Sequence, residues 1–181
     1  MDEFANLMHS AQVARREGRL QEAHQLYAQA LGLCRQVAAE TLADSKRNLI
    51  AALKGLGQIE RDLGRGRVAC PLYVEAVELC RLEGDVLLLA HTVRHLGDIH
   101  QELGNLAPAD KCYREALAIY RTASGVERLD LANALRSFAV LHDSLARDST
   151  ALWIEAKNLY EAAGIVEGVE GCARRIVQRG T

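Results

Sequence analysis

Four aromatic residues recur along this chain at nearly constant spacing. Tyr27, Tyr73, Tyr113 and Trp153 stand 46, 40 and 40 residues apart. Three positions after each comes Ala30, Ala76, Ala116 or Ala156, and seven positions after it Cys34, Cys80, Tyr120 or Tyr160. Offsets of 0, +3 and +7 share one side of an α-helix, so every unit presents an aromatic, a small residue and a second apolar group as one stripe. Upstream of each aromatic a second helical pattern ends at a turn: Glu17-Gly18-Arg19, Leu63-Gly64-Arg65, Leu103-Gly104-Asn105 and Leu145-Ala146-Arg147. Glycine at such a turn takes the left-handed conformation that closes a helix without a Cβ clash. Each unit therefore reads as helix, tight turn, helix, and a period of this length demands that the units stack to bury what none can bury alone.

These residues resemble the tetratricopeptide repeat, two antiparallel helices with small residues at their crossing and an aromatic on the second helix. The likeness covers about residues 3 to 163. It is closest in the middle units, at Leu56-Gly57, Gly64, Ala69, Tyr73 and Ala76, then at Leu96-Gly97, Gly104, Ala109, Tyr113 and Ala116. Ala11 and Ala139 replace the first-helix glycine in the outer units, and in the second, third and fourth units Glu60, His100 and His142 stand where the family often has an aromatic. The period of 40 or more, against about 34 in the standard unit, is similar to the long-helix subclass typified by kinesin light chain and many bacterial regulators. The resemblance implies an all-α, right-handed solenoid. Its boundaries are expected at about 3–39, 42–83, 86–123 and 128–163, with a capping helix at 165–179, all within a single domain spanning 1–181.

First helices are expected at about 3–17, 42–63, 86–103 and 128–145, and second helices at about 20–39, 67–83, 107–123 and 150–163. Asp85 and Ser149 are candidate N-caps, because a short side-chain oxygen accepts from an otherwise orphaned backbone N–H. Pro108 suits a first turn, whereas Pro71 lies several residues into its helix and predicts a delayed start or an irregular first turn there. In the last helix Ile165, Val169, Cys172 and Ile176 form one face, with Arg174, Arg175 and Arg179 outside it. Such a helix covers the apolar face of the last repeat.

Composition narrows the function. Lys and Arg total 22 and Asp and Glu 24, for a net charge of −2, which supports neither general nucleic-acid binding nor a membrane surface. The acidic start Met1-Asp2-Glu3-Phe4 leads into no apolar run, so no signal peptide and a cytoplasmic location are expected. Five cysteines, Cys34, Cys70, Cys80, Cys112 and Cys172, lack a C-x-x-C spacing and are expected to be reduced and mostly buried.

The resemblance further implies that the first helices line a concave groove where a partner peptide lies. Carried over position by position, the groove residues are Ala5, Met8, His9 and Gln12; Ala51, Lys54, Gly55 and Gln58; His91, Arg94, His95 and Asp98; and Asn133, Arg136, Ser137 and Val140. Lys54, Arg94 and Arg136 share one register and predict a ladder of donors suited to a carboxylate or acidic peptide. The alternative is that they are solvated or satisfied by Asp98, Glu102 or water. His91 and His95 add groups that change charge near about pH 6.5, so acidic peptides are expected to bind more tightly at pH 6 than at pH 8. His91, His95, Asp98 and Glu102 also share one face, which leaves a metal-binding sensor or enzyme as another reading.

No phosphate loop, H-E-x-x-H or G-x-S-x-G motif is present. Gly64-Arg65-Gly66-Arg67-Val68-Ala69 imitates a dinucleotide fingerprint, but that motif needs a strand leading in, and here a helix does. An inter-helix turn explains it. Trp153 and the tyrosines sit in the packing column, which favours burial over base stacking. The expected function is non-catalytic and cofactor-free, with a protein or peptide partner and no nucleic acid or membrane. A structural module using its convex face or ends, with weak self-association through the capping helix, is the alternative.

Overall fold

The computed structural model describes residues 3–37 and 44–179. Among the described residues there are nine helices and no strand: α1 (Glu3–Arg16), α2 (Leu20–Val37), α3 (Asp44–Asp62), α4 (Gly66–Glu83), α5 (Val86–Glu102), α6 (Leu106–Thr122), α7 (Arg128–Ser144), α8 (Thr150–Ala162) and α9 (Val166–Arg179). They form two compact units, Met1–Asp85 and Val86–Thr181. In the first unit α1 packs on α2, α2 on α3 and α3 on α4, and in the second each helix from α5 to α9 packs on the next. The first helices also touch, α1 with α3 and α5 with α7. Helix limits fall within a residue or so of the expected ones, while the expected end at 39 and start at 42 lie outside the described residues.

One turn geometry recurs. In the first hairpin Arg19 N–H donates to Ala14 O at 2.8 Å and Gly18 N–H to Arg15 O at 3.1 Å. These two bonds form a Schellman closure. Arg65 to Glu60 (2.7 Å), Asn105 to His100 (2.8 Å), Arg147 to His142 (2.9 Å) and Ile165 to Tyr160 (2.9 Å) repeat the longer bond. Such a closure needs a left-handed residue, which Gly18, Gly64, Gly104 and Gly164 supply at φ between 72° and 77°. In the fourth hairpin Ala146 takes that place at φ 51°, so a Cβ stands where the backbone favours none.

The repeated stripe is the core. Tyr27, Tyr73, Tyr113 and Trp153 are each at most 4% exposed, and Ala30, Ala76, Ala116 and Ala156 are fully buried. This excludes them from stacking on nucleic-acid bases. Small residues on the first helices make room for the aromatics: a Cβ added to Gly57 would come within 2.8 Å of the Tyr73 ring, and one on Gly97 within 2.8 Å of Tyr113. Gly55 does the same for Tyr27, whose ring would overlap an added Cβ.

Two local expectations are corrected. α4 starts at Gly66 without delay and runs through Pro71. Val68 and Ala69 both donate to Arg65 O, at 2.9 and 3.1 Å, so the first turn closes before the proline is reached, and Pro71 itself is exposed. Ser149 precedes α8 but makes no side-chain cap. Its hydroxyl donates to Asp143 Oδ1, and Asp148 Oδ1 instead accepts the Thr150 N–H at 3.0 Å. Asp143 also accepts Trp153 Nε1–H at 3.2 Å, so one carboxylate joins the end of α7 to the start of α8. Asp85 does stand immediately before α5.

Candidate functional site

The candidate positions divide between the units. In the first, α1 carries Met8, half-buried, with His9 and Gln12 exposed, and α3 carries Lys54 and Gln58, both half-buried. The Gln58 side-chain amide donates to Asp62 Oδ1 at 2.8 Å. Lys54 is the cation of this set. Behind it lies a contact absent from the sequence reading: Glu60, 4% exposed, has His24 Nε2 at 2.8 Å and Arg65 Nη1 at 3.6 Å.

In the second unit α5 and α7 bring His91, Arg94, His95 and Asp98 beside Asn133, Arg136 and Val140. Arg94 is buried, at 7% exposure, where a bare guanidinium would be costly. It is offset by Asp98, whose Oδ2 lies 3.3 Å from Nη1. Arg94 Nη2 also lies 2.8 Å from His95 Nε2, and His95 Nδ1 lies 3.4 Å from Asp98 Oδ2. The Tyr113 hydroxyl points at the same carboxylate, 2.8 Å from Asp98 Oδ1 and 3.0 Å from Gln101 Oε1. Burial pushes the Asp98 carboxyl up, but the His95 hydrogen bond, the Arg94 charge and Tyr113 outweigh it and hold the group at about 2. Asp98 is thus a hub that holds Arg94 in place, as the satisfied-cation alternative anticipated for that residue. A trace of this hub was readable in the sequence: Tyr113 follows Asp98 by fifteen residues, as Tyr73 follows Gln58.

Arg136 differs from Arg94. It is exposed and has no carboxylate partner among the described residues. One turn before it, Asn133 Oδ1 accepts the Tyr160 hydroxyl at 2.7 Å. Burial raises Tyr160, and the neighbouring Arg136 charge pulls against it. Tyr120, the matching residue of the preceding hairpin, is 3% exposed, and its hydroxyl has no hydrogen-bond partner among the described residues. Burial first, then Asp130, pushes it up to about 12.

The metal alternative lacks a ligand set. His91 Nδ1 faces Asp130 at 3.8 Å, His95 Nε2 is taken by Arg94 and its Nδ1 lies 3.4 Å from Asp98, and the two histidine rings meet edge-on at 4.7 Å between centroids. Among the described residues no three His, Cys, Asp or Glu side chains are placed to hold a metal ion. Gly64 to Ala69 form the turn between α3 and the first residues of α4, with no strand leading in. No described helix is long and apolar enough to cross a membrane.

Comparison with known proteins agrees with this architecture. No curated protein matches the chain in sequence. Among solved structures, BtubC (BKLC) from P. vanneervenii superposes with a TM-score of 0.63 at 22% identity, over 93% of this chain and 76% of that one. A Podosopora anserina protein of nearly identical TPR-like repeats gives 0.60 at 16% identity, over 98% of this chain and 96% of that one. Both likenesses concern the fold. The tetratricopeptide repeat profile matches residues 48–122 and 88–152, together more than half of the chain. With five Schellman-closed turns and the aromatic–alanine column in place among the described residues, the chain belongs to the tetratricopeptide repeat family, whose repeats generally mediate protein–protein interaction.

Proposed function

We propose that this protein is a non-catalytic interaction module, and that the α5–α7 face of its second unit takes an acidic, carboxylate-bearing segment of a partner protein. The observation that carries this reading is Arg136, an exposed guanidinium without a carboxylate partner among the described residues. It lies in register with Arg94, which Asp98 already holds in a set position. A guanidinium presents paired N–H groups that match a carboxylate, and Asn133 one turn away adds amide donors. His91, His95 and Val140 border the same face. In the first unit, Met8, His9, Gln12, Lys54 and Gln58 form a surface of similar make-up with Lys54 as its cation.

A peptide array carrying acidic and neutral sequences, probed with wild type and with Arg136→Ala, tests the reading. Losing charge-assisted hydrogen bonds weakens binding by roughly tenfold or more, so acidic spots should fade in the variant and neutral ones persist. Lys54→Ala reports separately on the first unit. The wild type should also hold acidic peptides more tightly at about pH 6 than at about pH 8. Equal binding by Arg136→Ala and wild type would overturn the assignment.

A second reading has an observation of its own. α9 leaves Val166 and Val177 67% and 69% exposed, which favours association through that helix. Sedimentation over a hundredfold concentration range distinguishes the two, because only association through α9 makes the mass rise and makes Val177→Lys abolish the rise.

A further inference from the structure

The column seven residues after the repeat aromatic reads Cys34, Cys80, Tyr120, Tyr160, and the column six before the first-helix glycine or alanine reads Ala5, Ala51, His91, Asn133. In the first unit both columns lack a strong hydrogen-bonding pair. At Tyr120 the opposite residue, His91, faces Asp130 instead, and the hydroxyl has the buried Arg94 guanidinium beside it but no amide to donate to. Only in the last hairpin does the pair close, with Tyr160 donating to Asn133 Oδ1 at 2.7 Å.

That bond has a direction. A tyrosine hydroxyl has one proton to give and lone pairs to receive with. Arg136, which can only donate, lies against the Tyr160 oxygen, so the hydroxyl proton is directed to Asn133. An amide whose oxygen is engaged this way turns its NH2 group to the opposite side. Asn133 and Arg136 are three residues apart on α7 and therefore on one face. Their surroundings carry charges of both signs. Lys157 of α8 adds positive charge beside its partner Glu161 at 3.6 Å, Cys172 of α9 is buried at 1% exposure, and Asp130, a turn before Asn133, faces His91.

We propose that Tyr160 is a positioning residue for a carboxylate subsite on α7: it turns the Asn133 NH2 outward beside the Arg136 guanidinium, so that the two present converging donors to one carboxylate of the bound segment. The subsite rests on the proposed function and sharpens it, because it discriminates a carboxylate from the isosteric amide. An outward amide oxygen would accept from both and repel the former.

Calorimetric titration of the tightest acidic peptide from the array, and of its copies with each Glu replaced by Gln, tests this. A C-terminally amidated copy tells a terminal carboxylate from a side-chain one. Wild type should favour one carboxylate over its amide by about tenfold or more. Tyr160→Phe keeps the ring and should lower that ratio several-fold, with the amide peptide bound as before. Asn133→Ala, which keeps the Tyr160 ring, should lower the ratio similarly, and the double variant no further. If Tyr160→Phe weakens both peptides equally, or keeps the wild-type ratio, the positioning role is overturned. A wild-type chain that binds no acidic peptide overturns the proposed function, and the subsite with it.

Discussion

Ala146 shows what one methyl group does to a backbone. It occupies at φ 51° the position that Gly18, Gly64, Gly104 and Gly164 hold in the other turns. A side chain in the left-handed region costs about 1–2 kcal/mol, part of which glycine gives back through its freer unfolded chain. Ala146→Gly should therefore stabilise the chain by about 1 kcal/mol, read as a higher midpoint in urea unfolding. Asp98 works in the opposite sense. Its carboxyl is lowered from the ordinary 3.8 to about 2, so its contribution is full above the unfolded value and disappears as pH falls through the folded one. A shift of that size corresponds to about 2 kcal/mol. Denaturant titrations at stepped pH should show wild-type stability declining between about pH 4 and about pH 2. Asp98→Asn should begin less stable at neutral pH and lack that part of the decline.

Among the elements, glycines on the first helices and aromatics on the second are complementary shapes. Gly97→Ala would set a Cβ 2.8 Å from Tyr113 Cε1 and 3.2 Å from Cys112 Cβ, in a region where Tyr113 is 1% exposed. Overpacking of this kind costs about 1–3 kcal/mol, and a comparable fall in urea stability is expected. The helices themselves were legible because Gly18, Gly64 and Gly104 mark turns and the aromatic–alanine offsets mark faces. Pro71 was misleading because its place in the chain was weighed without the two bonds to Arg65 O that complete the turn ahead of it. Ser149 was misleading for a different reason: cap propensity describes an isolated helix end, and a nearby carboxylate on α7 competes for the same hydroxyl. The polar pairs were harder still. Asp98 with Tyr113 and Asn133 with Tyr160 lie 15 and 27 residues apart, so only the packing of one helix on the next brings them together. The register of Lys54, Arg94 and Arg136 could be read from the repeat, but their differing burial could not.

Over the whole molecule, packing joins helices that follow one another in the sequence within each unit. Such local connectivity favours rapid folding and keeps the effect of a substitution near its own hairpin. The position of Trp153 adds an optical consequence. It is the one tryptophan in the chain and belongs to the second unit, with 2% of its surface exposed. Its indole N–H is bonded to Asp143 at 3.2 Å, and the Arg175 guanidinium lies 6.0 Å from its ring centroid. Indole emission therefore follows the second unit alone, while the far-ultraviolet helical signal sums both. Coincident melting curves from the two signals would mean the halves denature as one cooperative body, and separated curves would identify which half lets go first. The protein thus carries an intrinsic fluorophore that sees only the half in which the carboxylate subsite is proposed.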